Sequence, residues 1–280
     1  MKYTKRLSYL ILLCLLTSTS AALAVKNEGE FGPMWSPNGR FITYHKNSNT
    51  ITWEIMMKDV ETGEVVQLTK NNAYDTGASW SPDSKHIVFS SSVSGNRDIY
   101  KYSLDSGKSE LLISHPSMDN QAIWSPSGDK VAFLSRRSGT SQVYLFDLST
   151  RDITQLTNEP NDVFHPSWAR DGKSIYFDRN SGQGSRIYRV MLDSLKVEEV
   201  YSNAGSVISA APFKDGLIVT SNINGDWDIF EVKLESPSLL PIVSGRGHQM
   251  KGVWSEKTQQ IAYSEQDGDG IWRIKTKPIK

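Results

Sequence analysis

The sequence predicts an all-β fold: a six-bladed β-propeller of four-stranded antiparallel blades, with the last blade short of one strand. Three observations carry this. A tryptophan-anchored phrase recurs about every 44 residues. Each recurrence holds short β-branched and aromatic runs parted by turn residues. No helical period of ten residues or more appears beyond residue 24.

The anchors are Trp35 in WSPNGRFITYH, Trp80 in WSPDSKHIVFSS, Trp124 in WSPSGDKVAFLS, Trp168 in WARDGKSIYFDR and Trp254 in WSEKTQQIAYSE. Their intervals are 45, 44, 44 and 86, and the double gap holds a degenerate copy, APFKDGLIVTSN, from Ala211 to Asn222. Each copy continues through a Gly/Asn-rich turn into a second pair of runs, such as DIYKYSLDSGKSELLIS. Ile, Val, Tyr and Phe fill the runs and Pro, Asp, Ser, Gly and Asn the breaks, giving four short strands per copy. That is the size of a propeller blade; a sandwich or an up-and-down barrel requires no fixed long period.

The first 24 residues stand apart from this pattern. Lys2, Lys5 and Arg6 precede the apolar run Leu7 to Leu16, and Ala22-Leu23-Ala24 supplies small residues at cleavage spacing, so residues 1–24 read as a secretory signal peptide. Cys14, the only cysteine, follows Leu13, where a lipidation signal needs a small residue. The mature chain, residues 25–280, then has no disulfide, no thiolate nucleophile and no Cys-based metal site. It carries 28 basic against 31 acidic residues, a balance that draws it to neither nucleic acid nor anionic lipid. The expectation is a periplasmic monomer with no membrane span after signal cleavage.

The blade phrase resembles the WD40-like (PD40) repeats of the TolB β-propeller family. The family signature, an aromatic followed by Ser-Pro-Asp-Gly and an apolar strand, is matched by Trp80-Ser81-Pro82-Asp83-Ser84 and Trp124-Ser125-Pro126-Ser127-Gly128, with Asp98-Ile99-Tyr100 in the later strand. The resemblance covers Lys26 to the C-terminus and implies a propeller alone, without the α/β domain that precedes it in TolB or the hydrolase domain of related peptidases. Aligned on Ile99 and Ile271, the last copy stops before its fourth strand, for which Val25 to Glu30 would supply at most a stub.

Alternating strands sort their connections onto two faces. Short turns such as Ser81-Pro82-Asp83-Ser84 and Asp105-Ser106-Gly107 lie on one. The other takes the longer, more varied loops, where binding usually resides. Counting back from each tryptophan puts Glu30, Asp75, Asp119, Asp162 and His248 at a channel mouth on that face, with His165 beside them. For any one of these aspartates the plain alternative is an Asx cap on its own loop. Arg136, Arg137 and Arg179 either line the same mouth or are solvated charges, and His45, His86 and His115 read as incidental.

No phosphate loop, HExxH, EF-hand loop or G-x-S-x-G occurs. No cofactor is expected, and a divalent cation in the channel would have no motif behind it. Asp267 and Asp269 in QDGDG fit a hairpin loop better than a cation site. The favoured function is a non-enzymatic scaffold that binds a protein or peptide partner in the cell envelope. The alternative is a lyase or hydrolase acting on carbohydrate or peptide through Asp75, Asp119 and Asp162.

Overall fold

The structure is a computed structural model that describes residues 29–47, 52–235 and 238–279; the predicted signal peptide lies outside the described residues. Every regular element among them is a β-strand, and within each repeat copy successive strands pair antiparallel. No described helix is long and apolar enough to cross a membrane.

The first copy folds as β1 (Gly29–Trp35), β2 (Phe41–Asn47), β3 (Glu54–Asp59) and β4 (Val65–Gln67). The second is β5 (Thr76–Trp80), β6 (His86–Ser91), β7 (Asp98–Ser103) and β8 (Lys108–Ile113). The third is β9 (Asp119–Trp124), β10 (Lys130–Ser138), β11 (Thr140–Asp147) and β12 (Ile153–Gln155). The fourth is β13 (Val163–Trp168), β14 (Ser174–Asn180), β15 (Ser185–Met191) and β16 (Val197–Tyr201). The degenerate copy gives β17 (Val207–Phe213), β18 (Gly216–Ser221), β19 (Asp228–Val232) and β20 (Leu239–Val243). The last gives β21 (Gln249–Ser255), β22 (Gln260–Gln266) and β23 (Trp272–Pro278), with no fourth strand among the described residues. The result is an all-β propeller of four-stranded antiparallel blades.

Four of the sheets hold four strands each, and a mixed sheet of seven runs β21-β22-β23-β1-β2-β3-β4. Its two parts meet at a single parallel pair, Gly29 with Trp272. An isolated parallel bridge, Trp53 with Tyr74, makes the same kind of joint between the first and second copies. The described N-terminal residues therefore run as an inner strand and touch β23 at its start, rather than lying along it as a fourth strand. Glu30 Oε2 accepts the Ile274 N–H at 3.2 Å, and the Phe31 ring sits 5.2 Å from Trp272.

The repeated phrase builds two structural devices. The serine after the tryptophan ties off the turn: Ser81 Oγ accepts the His86 N–H at 2.9 Å, and Ser36 Oγ accepts that of Phe41 at 2.8 Å. The tryptophan bridges blades: Trp80 Nε1 donates to the Met34 carbonyl at 3.3 Å, and Trp168 Nε1 donates to that of Ile123 at 3.3 Å. Second strands form the heart of each blade, with Ile87, Val131, Ile175 and Ile261 wholly buried. At the outer turns Asp59 accepts the N–H groups of Glu61 and Thr62, and Asp147 those of Ser149 and Thr150.

Candidate functional site in the central channel

Each inner strand breaks its ladder at the same place. In β1, β5, β9, β13, β17 and β21 two residues oppose one on the next strand, a β-bulge. The first bulge residue has positive φ every time: Gly32 at 60°, Gly77 at 70°, Gln121 at 48°, His165 at 49°, Ser209 at 54° and Lys251 at 55°. It is half-buried, and the second is buried and small or proline: Pro33, Ala78, Ala122, Pro166, Ala210 and Gly252. A Cβ on Gly252 would come within 2.8 Å of Ile218 Cδ1, which is why this position admits so little side chain.

The bulge turns the first residue of each pair toward a central cavity of ≈ 280 Å³, which all six line. Left-handed backbone costs a non-glycine residue about 1–2 kcal/mol. Bonds to the displaced backbone N–H groups, most of them across a blade boundary, help offset it. Gln121 N–H reaches Ser90 Oγ at 3.0 Å, His165 N–H reaches Gln121 Oε1 at 2.9 Å, and Lys251 N–H reaches Thr220 Oγ1 at 3.1 Å. Ser209 N–H reaches Asp178 Oδ1 at 2.9 Å, and Gly32 N–H closes the ring on Ser264 Oγ at 3.3 Å.

The cavity brings together a lysine, two histidines and a buried carboxylate. The Lys251 ammonium has no hydrogen-bond or ion-pair partner among the described residues; burial lowers its pKa, and the charge of Asp178 partly opposes this. The His45 ring, 6.1 Å from Phe31 and 5.3 Å from Trp53, is pushed down to about 3 by burial, then by Lys251 and Arg97, and stays neutral at physiological pH. The Asp178 carboxylate, 2% exposed, is engaged by His165 Nδ1 at 2.8 Å as well as by Ser209.

Of the residues singled out from the sequence, His165 lines this cavity. Asp75 and Asp119 are fully buried at the boundaries between blades, their N–H groups bonded to the Trp53 and Arg97 carbonyls. Asp75 accepts from Asn71 Nδ2 at 2.8 Å, and Asp119 pairs with Arg137 at 3.0 Å. Burial raises the Asp119 pKa, with Ser135 and Arg137 opposing. Asp162 is bound to Arg136 and takes the Ser141 N–H at 2.8 Å. Glu30 sits at the ring-closing boundary with Lys46 3.6 Å away. His248 Nδ1 accepts the Trp227 N–H at 3.2 Å, and its ring stacks on Trp272 at 6.5 Å. Arg179 pairs with Glu159, and Asp267 ties its own hairpin through the N–H groups of Asp269 and Ile271.

Sequence reasoning passed over Gln121, Ser209, Lys251 and Asp178, and read as incidental His45, which lines the cavity. The signal lay three residues before each anchor, always followed by Pro, Ala or Gly.

The profile of the TolB beta propeller domain, PD40, matches residues 1–123 and 109–276. The chain belongs to the TolB β-propeller family. TolB from Acinetobacter baumannii superposes with a TM-score of 0.61 at 21% identity, over 80% of this chain and 56% of that one. A TolB homologue from Agrobacterium tumefaciens gives 0.68 at 18%, over 80% and 87%. An oligogalacturonate lyase in complex with manganese gives 0.62 at 15%, over 87% and 72%. An uncharacterized protein of Agrobacterium fabrum, Atu1656, is 29% identical over 94 residues, and the chain spans 32% of its length. The solved structures, all below 25% identity, share the propeller fold. Among the described residues of this TolB-family chain, no three His, Cys, Asp or Glu side chains gather as a metal-binding group.

Proposed function

We propose that the chain is an exported, periplasmic, non-enzymatic scaffold, a monomer of six blades that holds a protein or peptide segment at its long-loop face and channel mouth. In this reading residues 1–24 are removed, and the seven-stranded sheet counts as two blades, β1–β4 and β21–β23. The observation that carries it is the channel ring: one backbone geometry presents Gly32, Gly77, Gln121, His165, Ser209 and Lys251, four kinds of polar or charged side chain on a fixed frame. Rigid scaffolds with varied loops and a shaped opening suit recognition. Asp162, His165 and His248 would meet the partner, while Glu30, Asp75 and Asp119 would hold the loops that present them.

Site-specific photo-cross-linking in the cell tests this. Probes at the exposed long-loop positions Met118 and Asn161 are expected to trap one envelope partner, and probes at Asp105 and Ser127 on the short-turn face to trap none. Equal yields from both faces reject the reading.

A second reading, an enzyme acting on carbohydrate or peptide, draws on one observation, the His165–Asp178 pair inside the channel. A carboxylate that orients an imidazole suits it to proton transfer. Turnover of oligogalacturonides or peptides that vanishes in His165→Gln would support it; no turnover by the wild type would end it.

A further inference from the structure

The channel ring holds hydrogen-bond donors that have no partner among the described residues. Gln121 spends its Oε1 on the His165 N–H, so its amide presents N–H groups to the cavity. Asp178, the carboxylate beside the cavity, is engaged through its Oδ1 by His165 and Ser209. Ser209 Oγ is buried with no partner among the described residues, and the Lys251 ammonium has no ion-pair partner there. Buried polar groups are ordinarily paired, and unpartnered donors beside a lysine with no direct ion pair suit an anionic acceptor.

Size and charge narrow the class. A cavity of ≈ 280 Å³ is too small for a folded partner and suits the end of a slender chain. Its walls include Met34, Ile123 and Val253, which favour an apolar stem. One ammonium, with the Asp178 carboxylate already near it, suits a monoanion better than a doubly charged phosphate. The bulges stand one to three residues inside the long-loop face, because each is the second to fourth residue of its inner strand.

The geometry points to a carboxylate-recognition site. Lys251 takes the charge of a carboxylate that enters from the long-loop face, and the Ser209 hydroxyl and Gln121 amide donate to its oxygens. This deepens the binding reading, on which it rests, by naming what the bound segment must present. The same chemistry is carried by a peptide's terminal carboxylate and by a free small acid.

The test uses the protein purified from the cell envelope, as wild type, Lys251→Met and Lys251→Arg. The probes are butyrate, N-acetyl-trialanine with a free C-terminal carboxylate, and the same peptide as its amide. Binding is followed by calorimetry and by the fluorescence of Trp124 and Trp168, which line the cavity. At least one acid is expected to saturate while the amide does not. Lys251→Met should weaken that binding about 10- to 100-fold, the loss of one charge-assisted bond, and Lys251→Arg should restore part of it. Gln121→Glu, which adds a competing carboxylate, should weaken it as well. Saturation by the peptide acid alone assigns a chain terminus, and by butyrate alone a free acid; either upholds the site.

Equal binding of acid and amide overturns the proposal, as does unchanged affinity in Lys251→Met, or no saturation by either acid. Face-specific cross-linking that persists in Lys251→Met while both acids are silent rejects this site and leaves the scaffold reading intact.

Discussion

His165 Nδ1 lies 2.8 Å from Asp178 Oδ1, and that same oxygen accepts the backbone N–H of Ser209 at 2.9 Å. One buried carboxylate thus anchors a channel side chain on β13 and the displaced backbone of β17. Asp178→Ala should cost about 1–3 kcal/mol, because it strands the Ser209 N–H. Urea unfolding measures this, and Asp178→Asn, which keeps an acceptor oxygen, should lose less. Equal losses would show that the acceptor geometry is unimportant.

The bond from Lys251 N–H to Thr220 Oγ1 joins the fifth and sixth copies. Thr220→Val keeps the shape and removes the acceptor, so a loss of about 1 kcal/mol is expected in thermal unfolding. An unaltered melting temperature would argue that the bulge needs no such support.

Glycine has different reasons at two left-handed positions. Gly63, at φ 77°, has nothing within 4 Å of an added Cβ, so Gly63→Ala should cost only the backbone strain, about 1–2 kcal/mol. At Gly32, φ 60°, the added Cβ would sit 2.8 Å from His45 Cε1. Gly32→Ala should therefore be the more damaging of the pair, with chemical denaturation as the readout.

Asp147 contributes an acid-sensitive share of stability. The Lys130 ammonium at 2.8 Å, then the Ser149 hydroxyl and the turn N–H groups, hold its carboxyl well below the usual carboxylate range. The unfolded chain binds that proton more tightly, so the contribution is full above the ordinary carboxylate pKa and is lost as pH falls toward the depressed one. Between about pH 5 and pH 2, wild type should lose more stability than Asp147→Asn, as unfolding midpoints across that range will report.

The spacing of Trp35, Trp80, Trp124 and Trp168 made the blade legible, because a repeated anchor must pack in a repeated place. The channel was harder to see. Strand arithmetic with period two assigns Asp75 and Asp119 the same side as the residue two places on. The bulge between them and the tryptophan breaks that parity. The residues five before Trp80 and Trp124 therefore end in the boundary between blades, while those three before, Gly77 and Gln121, face the cavity. The pairing of Arg137 with Asp119 and of Arg136 with Asp162 joins residues 18 and 26 positions apart, which no local pattern encodes.

The small second residue of each bulge has a further consequence. Pro33, Ala78, Ala122, Pro166, Ala210 and Gly252 carry the packing, so the preceding residue is relieved of it. Ligand preference and foldability are then separately mutable at some of these positions. A lineage, or a designer, could vary Ser209 and Lys251, whose side chains make no hydrogen bond among the described residues, while Gly32, crowded by His45, and Gln121, whose Oε1 supports the next bulge, stay fixed.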